Sequence, residues 1–266
     1  MTQDEKYKHL LDTLRALGRV AVAYSAGVDS TFLLAAARKA LGENAVALTA
    51  VTAAIPRREV AEAEAFCASL GVTHRLVEVD ALAVDAFRRN APDRCYHCKK
   101  HIFSALWAAA RSEGCEHLAE GSNLDDDLDY RPGHRAIGEL GVESPLRAAE
   151  LTKAEIRALS ERLGLATAAK PSFACLASRV PYGEEITAEK LRRIDEAEHL
   201  LLARGFSQFR VRSHGDLARI EVPEAEQEKL FSLRAELHDA LRALGFAYVT
   251  MDLKGFRSGS MNETLS

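Results

Sequence analysis

Several things are scarce in this 266-residue sequence, and each scarcity narrows the reading. No apolar run approaches the ~18 residues that a membrane-spanning helix needs, so a helical membrane protein is not expected. The opening stretch, MTQDEKYKHLLDTLRAL, has no apolar h-region and reads as a charged amphipathic helix, so neither is a secretory leader. There is no excess of positive charge: 35 Lys and Arg stand against 39 Asp and Glu, a formal net charge of −4. No global field therefore draws the chain to nucleic acid. There is no internal repeat and no low-complexity segment, and no Gly-Lys-Ser/Thr that would mark a Walker loop. Cysteine is limited to five residues in a chain without a leader, which points to a reducing, cytoplasmic setting where thiols serve chemistry or metal rather than disulfides. What is plentiful is apolar residues, 47%, alongside 28% charged, the balance of a soluble globular protein with an ample core. The length suits one large domain or two ordinary ones.

The first half alternates strand and helix patterns. RVAVAYS (19–25), AVALTAVT (45–52), THRLVEVD (73–80) and EHLAEGSN (116–123) read as strands. Helices are expected over 29–42, 57–71 and 98–113, and LTKAEIRALSERLG (151–164) opens with a capping box of Thr152 and Glu155. Strands separated by helices of this length imply βαβ units and a parallel sheet with helices on both faces. Residues 165–186 show little periodicity and read as a functional loop and domain boundary. The last third changes rhythm: a helix over 187–205, two alternating strands at hairpin spacing (QFRVRSHG and LARIEVP), a helix over 224–245 and a closing strand FAYVTMDL. The expected organisation is an α/β domain over 1–170, a cysteine-bearing linker over 171–186, a small α+β domain over 187–257 and a tail over 258–266.

Three features carry chemistry. Ser25-Ala26-Gly27-Val28-Asp29-Ser30 lies between an apolar strand and a helix, where free N–H groups and the helix dipole cradle a phosphate. Gly27 allows close approach, the hydroxyls add donors, and Asp29 can hold a magnesium ion. Alone, the same residues could merely cap the helix. Second, RCYHCKKHIF (94–103) sets Cys95 and Cys98 in a C-x-x-C spacing, two residues between them. A dithiol pair, a Cys₃His zinc site using His97 or His101, and unligated thiols are all compatible with that spacing. Cys175, in KPSFACLASRVPYG, sits in sequence among Lys170, Arg179 and turn residues, an electropositive setting for a thiolate. Cys67 and Cys115 read as core. Third, Arg210 and Arg212 share one face of a strand, a spacing suited to a phosphate, although such pairs are common on a solvated edge. Glu198 and Glu221 would by themselves be ordinary surface charges.

Ser25–Ser30 resembles the SGGxDS loop of the PP-loop ATP pyrophosphatases, which cut ATP between its α and β phosphates and load AMP onto a substrate oxygen. Ala26 stands where that loop usually has Gly, a change that is harmless at negative φ and costly otherwise. EGSNLDDD (120–127) resembles the segment after the fourth strand in the same superfamily. Longer stretches, KPSFACLASRVPYGEEIT, DYRPGHRA, GVESPLRAAELTKAEIR, FRVRSHGDLARIEV and LKGFRSGSMN, resemble the LarE family of ATP-dependent sulfur transferases over nearly the whole chain.

That resemblance implies a specific assignment. ATP and Mg²⁺ would be held by Ser25, Gly27, Val28, Asp29, Ser30, Gly121, Asn123 and Asp125, with the magnesium on Asp29. Arg210, Arg212 and Arg179, with Glu198 and Glu221, would serve a substrate phosphate. The substrate would be pyridinium-3,5-biscarboxylic acid mononucleotide, converted to a thiocarboxylate on the route to the nickel-pincer cofactor of lactate racemase. Cys175 would handle sulfur. In one variant of the family that cysteine gives up its own sulfur and becomes dehydroalanine; in the other, three cysteines hold a 4Fe–4S cluster carrying an extra sulfide. Cys95, Cys98 and Cys175 match the three-cysteine count. The resemblance also implies a sulfide source, other proteins of nickel-pincer biosynthesis as partners, and a homo-oligomer. A tRNA-thiolating PP-loop enzyme is the nearest rival, and the net charge of −4 with no basic extension argues against it. A nucleotide-binding regulatory or metal-storage protein is the non-enzymatic one.

Overall fold

Small and β-branched apolar residues crowd two short segments, VAVA and AVALTAV, and both form strands buried on both faces. The computed structural model describes residues 1–128, 132–171, 173–257 and 260. In chain order the elements are α1 (Gln3–Leu17), β1 (Val20–Ala23), α2 (Val28–Leu41), β2 (Ala45–Val51), α3 (Arg57–Leu70), β3 (Thr73–Glu78), α4 (Asp85–Arg88), α5 (Arg94–Ser112) and β4 (His117–Ala119). There follow α6 (Pro132–Glu139), α7 (Pro145–Ala148), α8 (Lys153–Arg162), α9 (Ala188–Ala203), β5 (Arg210–His214), β6 (Leu217–Glu221), α10 (Glu224–Ser232), α11 (Arg234–Ala243) and β7 (Tyr248–Met251).

The chain divides into two compact units: residues 1–84 with 93–173, and residues 85–92 with 174–266. The first is a parallel α/β sheet in the order β3-β2-β1-β4. Its side chains alternate as a pleated sheet requires. Val20, Val22, Ala45 and Ala47 face a core with Leu10, Leu14, Phe32, Leu33 and Ile156, while Ala21, Val46, Leu48 and Leu118 face a second core with Leu106 and Ile137. The sheet is thus covered on both faces, the arrangement expected of βαβ units.

The second unit carries a three-stranded sheet in the order β5-β6-β7. The hairpin expected at Gly215 is present, β5 running antiparallel to β6, and β7 pairs parallel to β6. The helix expected over 224–245 is two helices, broken at Leu233. The segment 85–92 belongs to this unit rather than to its sequence neighbours: buried Asn90 donates Nδ2–H to the carbonyls of Val180 (3.2 Å) and Pro181 (2.6 Å). Apart from Ser260, the expected tail over 258–266 lies outside the described residues. No helix among the described residues is long and apolar enough to cross a membrane.

Candidate nucleotide loop and cysteine turn

In the first sheet the chain leaves β1 toward β2 on one side, and β4 lies on the other. The strand order therefore reverses at the C-terminal ends of β1 and β4, which is where open α/β sheets bind ligands. Ser25–Ser30 follows β1, and Glu120–Asp125 follows β4.

Gly27 is the N-cap of α2, with φ −81°, so what it contributes is the missing side chain rather than an unusual torsion. The first helical bond is Thr31 N–H to the Gly27 carbonyl at 2.9 Å, so the N–H groups of Val28, Asp29 and Ser30 have no partner one turn back. The Val28 side chain is buried in the core, leaving its backbone for a ligand. Ser30 Oγ donates to the Gly27 carbonyl (3.2 Å) and lies 3.1 Å from Ser25 Oγ. Ala26 adopts φ 55°, the left-handed region, so here the methyl is on the costly side of the condition stated above. Its carbonyl accepts from Lys170 Nζ at 2.9 Å, and Lys170 also pairs with Glu62 at 2.5 Å. Lys170 thus braces the phosphate loop.

The two loops interlock. A Cβ on Gly121 would lie 3.0 Å from the Ser30 nitrogen and 3.2 Å from the Asp29 carbonyl carbon, so only glycine lets the segments approach this closely. Asn123 Nδ2 donates to Asp29 Oδ1 at 3.3 Å, and Lys153 forms an ion pair with Asp29 Oδ2. Asp125 accepts the Lys153 backbone N–H at 2.8 Å, capping α8 together with the Thr152–Glu155 box. Asp125 therefore acts on the site by placing Lys153. Glu120, nearly buried, accepts from Ser122 N–H (3.0 Å), Ser122 Oγ (2.9 Å) and Ser144 Oγ (2.6 Å) and shapes the same turn. Sequence reasoning missed Lys153 and Glu120; Lys153 directly follows the capping Thr152, and a lysine at a helix start, against the dipole, was the available signal. An open depression of about 580 Å³ lies along the same sheet edge, lined by Val51, Thr52, Ala53, Glu78, Val79 and Asp80.

RCYHCKK is helical from Arg94, four residues earlier than the expected start at 98. Cys95 (exposed) and Cys98 (half-buried) are three positions apart and so lie on one side of α5. His97 meets Asp93 at 3.1 Å. Among the described residues no group of three or more His, Cys, Asp or Glu is gathered for a metal ion. Cys67 and Cys115 are buried, and burial pushes the Cys67 thiol up to about 12 and the Cys115 thiol upward, which makes both inert.

In the second unit Cys175 is exposed and precedes a 3₁₀ turn, Leu176–Arg179. Arg210 and Arg212 are not on a solvated face: both are buried on β5. Arg212 forks onto Glu221 (3.0 and 2.8 Å), and Arg179 onto Glu198 (2.8 and 3.0 Å). Complete burial works to raise the Glu198 carboxyl, but Arg179, Arg210 and the Val211 N–H outweigh it and hold it below the usual carboxylate range. Burial and then the neighbouring Arg179 charge bring Arg210 down to about 10. Arg219 joins the same cluster, pairing with Glu221 at 3.0 Å and with Asp252 at 3.5 Å.

No protein-family model matches the chain. It is 40% identical over 265 residues, 99% of both chains, to the uncharacterized protein slr1717 of Synechocystis sp.. It is 38% identical over 258 residues, 97% of this chain and 94% of the relative, to the pyridinium-3,5-bisthiocarboxylic acid mononucleotide synthase of Lactiplantibacillus plantarum. Similarity to the argininosuccinate synthase of Halobacterium salinarum, 33% over 157 residues, covers 54% of this chain and 39% of that protein, in keeping with the PP-loop α/β fold.

Proposed function

The chain belongs to the family of the pyridinium-3,5-bisthiocarboxylic acid mononucleotide synthase, and from that premise we propose that it uses ATP to replace a carboxylate oxygen of pyridinium-3,5-biscarboxylic acid mononucleotide with sulfur. The observation that carries the ATP half is the convergence of Asp29, Asn123 and Lys153 at the N-terminus of α2, on the switch point of the sheet. The N–H groups of Val28, Asp29 and Ser30 and the hydroxyls of Ser25 and Ser30 take the phosphates. Lys153, now paired with Asp29, turns to the phosphate charge. The Asp29 carboxylate and the two hydroxyls are hard oxygen donors that fit Mg²⁺, which would screen the phosphates. The depression at the ends of β2 and β3 takes the nucleoside.

A carboxylate oxygen of the substrate attacks the α-phosphorus; the bond to the bridging oxygen breaks, and pyrophosphate leaves with the electron pair. The acyl carbon of the adenylate is now electrophilic. Cys175, exposed in the second unit, attacks as thiolate, and AMP leaves to give a thioester. Loss of the Cys175 α-proton to a base then breaks the Cβ–S bond, releasing the thiocarboxylate and leaving dehydroalanine. In the three-cysteine form of the proposal, Cys95, Cys98 and Cys175 would hold a 4Fe–4S cluster, whose chemistry is to supply an exchangeable sulfide in place of the cysteine's own sulfur. The second carboxylate is thiolated in a second round, on a fresh copy of the protein where Cys175 gives up its own sulfur, or on the same chain where an exchangeable sulfide is supplied. The guanidinium groups of Arg210 and Arg212, side by side on one face of β5, suit the substrate's phosphate. A sulfide source, partner proteins of nickel-pincer biosynthesis and homo-oligomeric assembly belong to the same proposal.

The test is pyrophosphate release from ATP on addition of the pyridinium mononucleotide, with the thiocarboxylate identified by mass. ATP binding without substrate-dependent pyrophosphate would sink the reading.

A further inference from the structure

We infer that Arg179 is a positioning residue that mounts the Cys175 turn, and does not itself bind substrate. The Arg179 side chain is fully buried, as is that of Glu198. One edge of its guanidinium, Nε and Nη2, grips both Glu198 oxygens at 2.8 and 3.0 Å. The remaining nitrogen, Nη1, faces the cysteine turn: it lies 2.6 Å from the Ala174 carbonyl, 3.0 Å from the Cys175 carbonyl and 2.8 Å from Ser178 Oγ. The Cys175 carbonyl also accepts from Ser178 N–H at 3.0 Å and Ser178 Oγ at 2.8 Å. Three donors thus converge on the carbonyl of a residue whose side chain is exposed.

A 3₁₀ turn of four residues is a weak element by itself. Here the two carbonyls leading into it are tied to a planar fork, and the fork is tied to Glu198, which sits on α9 and accepts the Val211 N–H of β5 at 3.2 Å. Arg212 adds a second brace, donating Nη1–H to the Ser178 carbonyl at 2.9 Å while its other edge holds Glu221. A buried ion pair is a poor device for raw stability and a good one for fixing a geometry. Lysine could keep the charge but not grip Glu198 with one edge and the turn with the other. A phosphate could reach Arg179 only by displacing Glu198 or the turn itself, because no atom of either side chain is exposed.

The inference rests on the functional reading for the identity of the reaction, but the mount can be tested apart from it. Hydrogen exchange of the 174–180 segment would be followed in wild type, Arg179→Lys and Ser178→Ala. In Arg179→Lys, exchange of this segment should rise at least about tenfold, since bonds to a charged donor are lost, while α9 keeps its protection. Ser178→Ala, which leaves both ion pairs in place, should move the same segment less and in the same direction. In the same Arg179→Lys protein, substrate-dependent pyrophosphate release and the KM for the mononucleotide should hold, while thiocarboxylate formation per pyrophosphate falls about a hundredfold, the effect of a misplaced reacting atom. Unchanged exchange in both variants overturns the mount. A raised KM with an unchanged ratio of product to pyrophosphate also overturns it and makes Arg179 a substrate ligand. If wild type releases no pyrophosphate with this substrate, the functional reading falls, and the exchange result by itself upholds or overturns the mount.

Discussion

Ala26 sits in the phosphate loop at φ 55°, a conformation that costs an L-residue roughly 1–2 kcal/mol and glycine nothing. Ala26→Gly relieves that strain but frees the unfolded chain, offsetting some of the gain. The expected net is a stabilisation of about 0.5 kcal/mol, read from denaturant unfolding; a clear loss of stability would mean that the methyl's packing in the core outweighs the torsion. The sequence could state this condition but not resolve it, because φ is set by how β1 hands over to α2. Asp29 was legible from the loop pattern, whereas its partner Lys153 was not, since the two are 124 positions apart. Asp29→Ala should abolish substrate-dependent pyrophosphate release, and full activity would remove the ATP reading. Lys153→Met should raise the apparent Kd for MgATP about tenfold or more, through loss of a charged hydrogen-bond donor; unchanged affinity in a calorimetric titration would leave Lys153 a mere partner of Asp29.

Most elements of the first unit were legible because apolar periodicity there agrees with burial, and the Thr152–Glu155 box was legible because caps are local chemistry. The break at Leu233 was not, for it falls without Gly or Pro in an unbroken helical pattern. The interlock of the β1 and β4 loops was not legible either, as it depends on strand order. Gly121→Ala should push these loops apart, since its Cβ would meet backbone at 3.0 Å. ATP binding should weaken while global stability changes less. Equal binding in wild type and variant would show that the loops have room to shift. On β3, His74 lies 2.8 Å from Thr49 Oγ1 and edge-on to Tyr24 at 6.4 Å, and burial lowers its pKa despite the opposing charge of Glu64. The unfolded chain, with its histidine near 6.5, then binds more protons than the folded one. Stability must therefore fall as pH drops through that value toward the lower folded one. His74→Gln should flatten this part of a Tm-against-pH curve. An unaltered slope would assign the pH dependence elsewhere, with His214, also lowered by burial, the next group to test.

At the scale of the whole molecule, the three cysteines of the proposal fall in different units: Cys95 and Cys98 belong to the first, Cys175 to the second. The sequence already set Cys95 and Cys98 in the 1–170 domain apart from Cys175 in the 171–186 linker; what it did not show is that residues 85–92 join the second unit, which depends on tertiary bonds such as those of Asn90. The division sharpens the choice between the two sulfur sources. If Cys175 gives up its own sulfur, one unit's cysteine suffices. After a single turnover Cys175 should be about 34 Da lighter, the mass of H₂S, a loss visible in peptide mass spectra and distinct from oxidation, which adds mass. Cys95→Ala and Cys98→Ala should then keep that single turnover. If instead the three thiols share a cluster, each of the three Cys→Ala variants should lose iron and absorbance near ~400 nm together, because two thiolates hold a cubane poorly. Wild type should turn over repeatedly with added sulfide while Cys175 keeps its mass. Cys67→Ala and Cys115→Ala should change neither readout, since both thiols are buried and burial raises their pKa. Dehydroalanine at 175 in iron-free wild type would discard the cluster and leave Cys95 and Cys98 as neighbours on one helix; iron lost equally from all three variants, with the mass of Cys175 unchanged, would discard the sacrificial route.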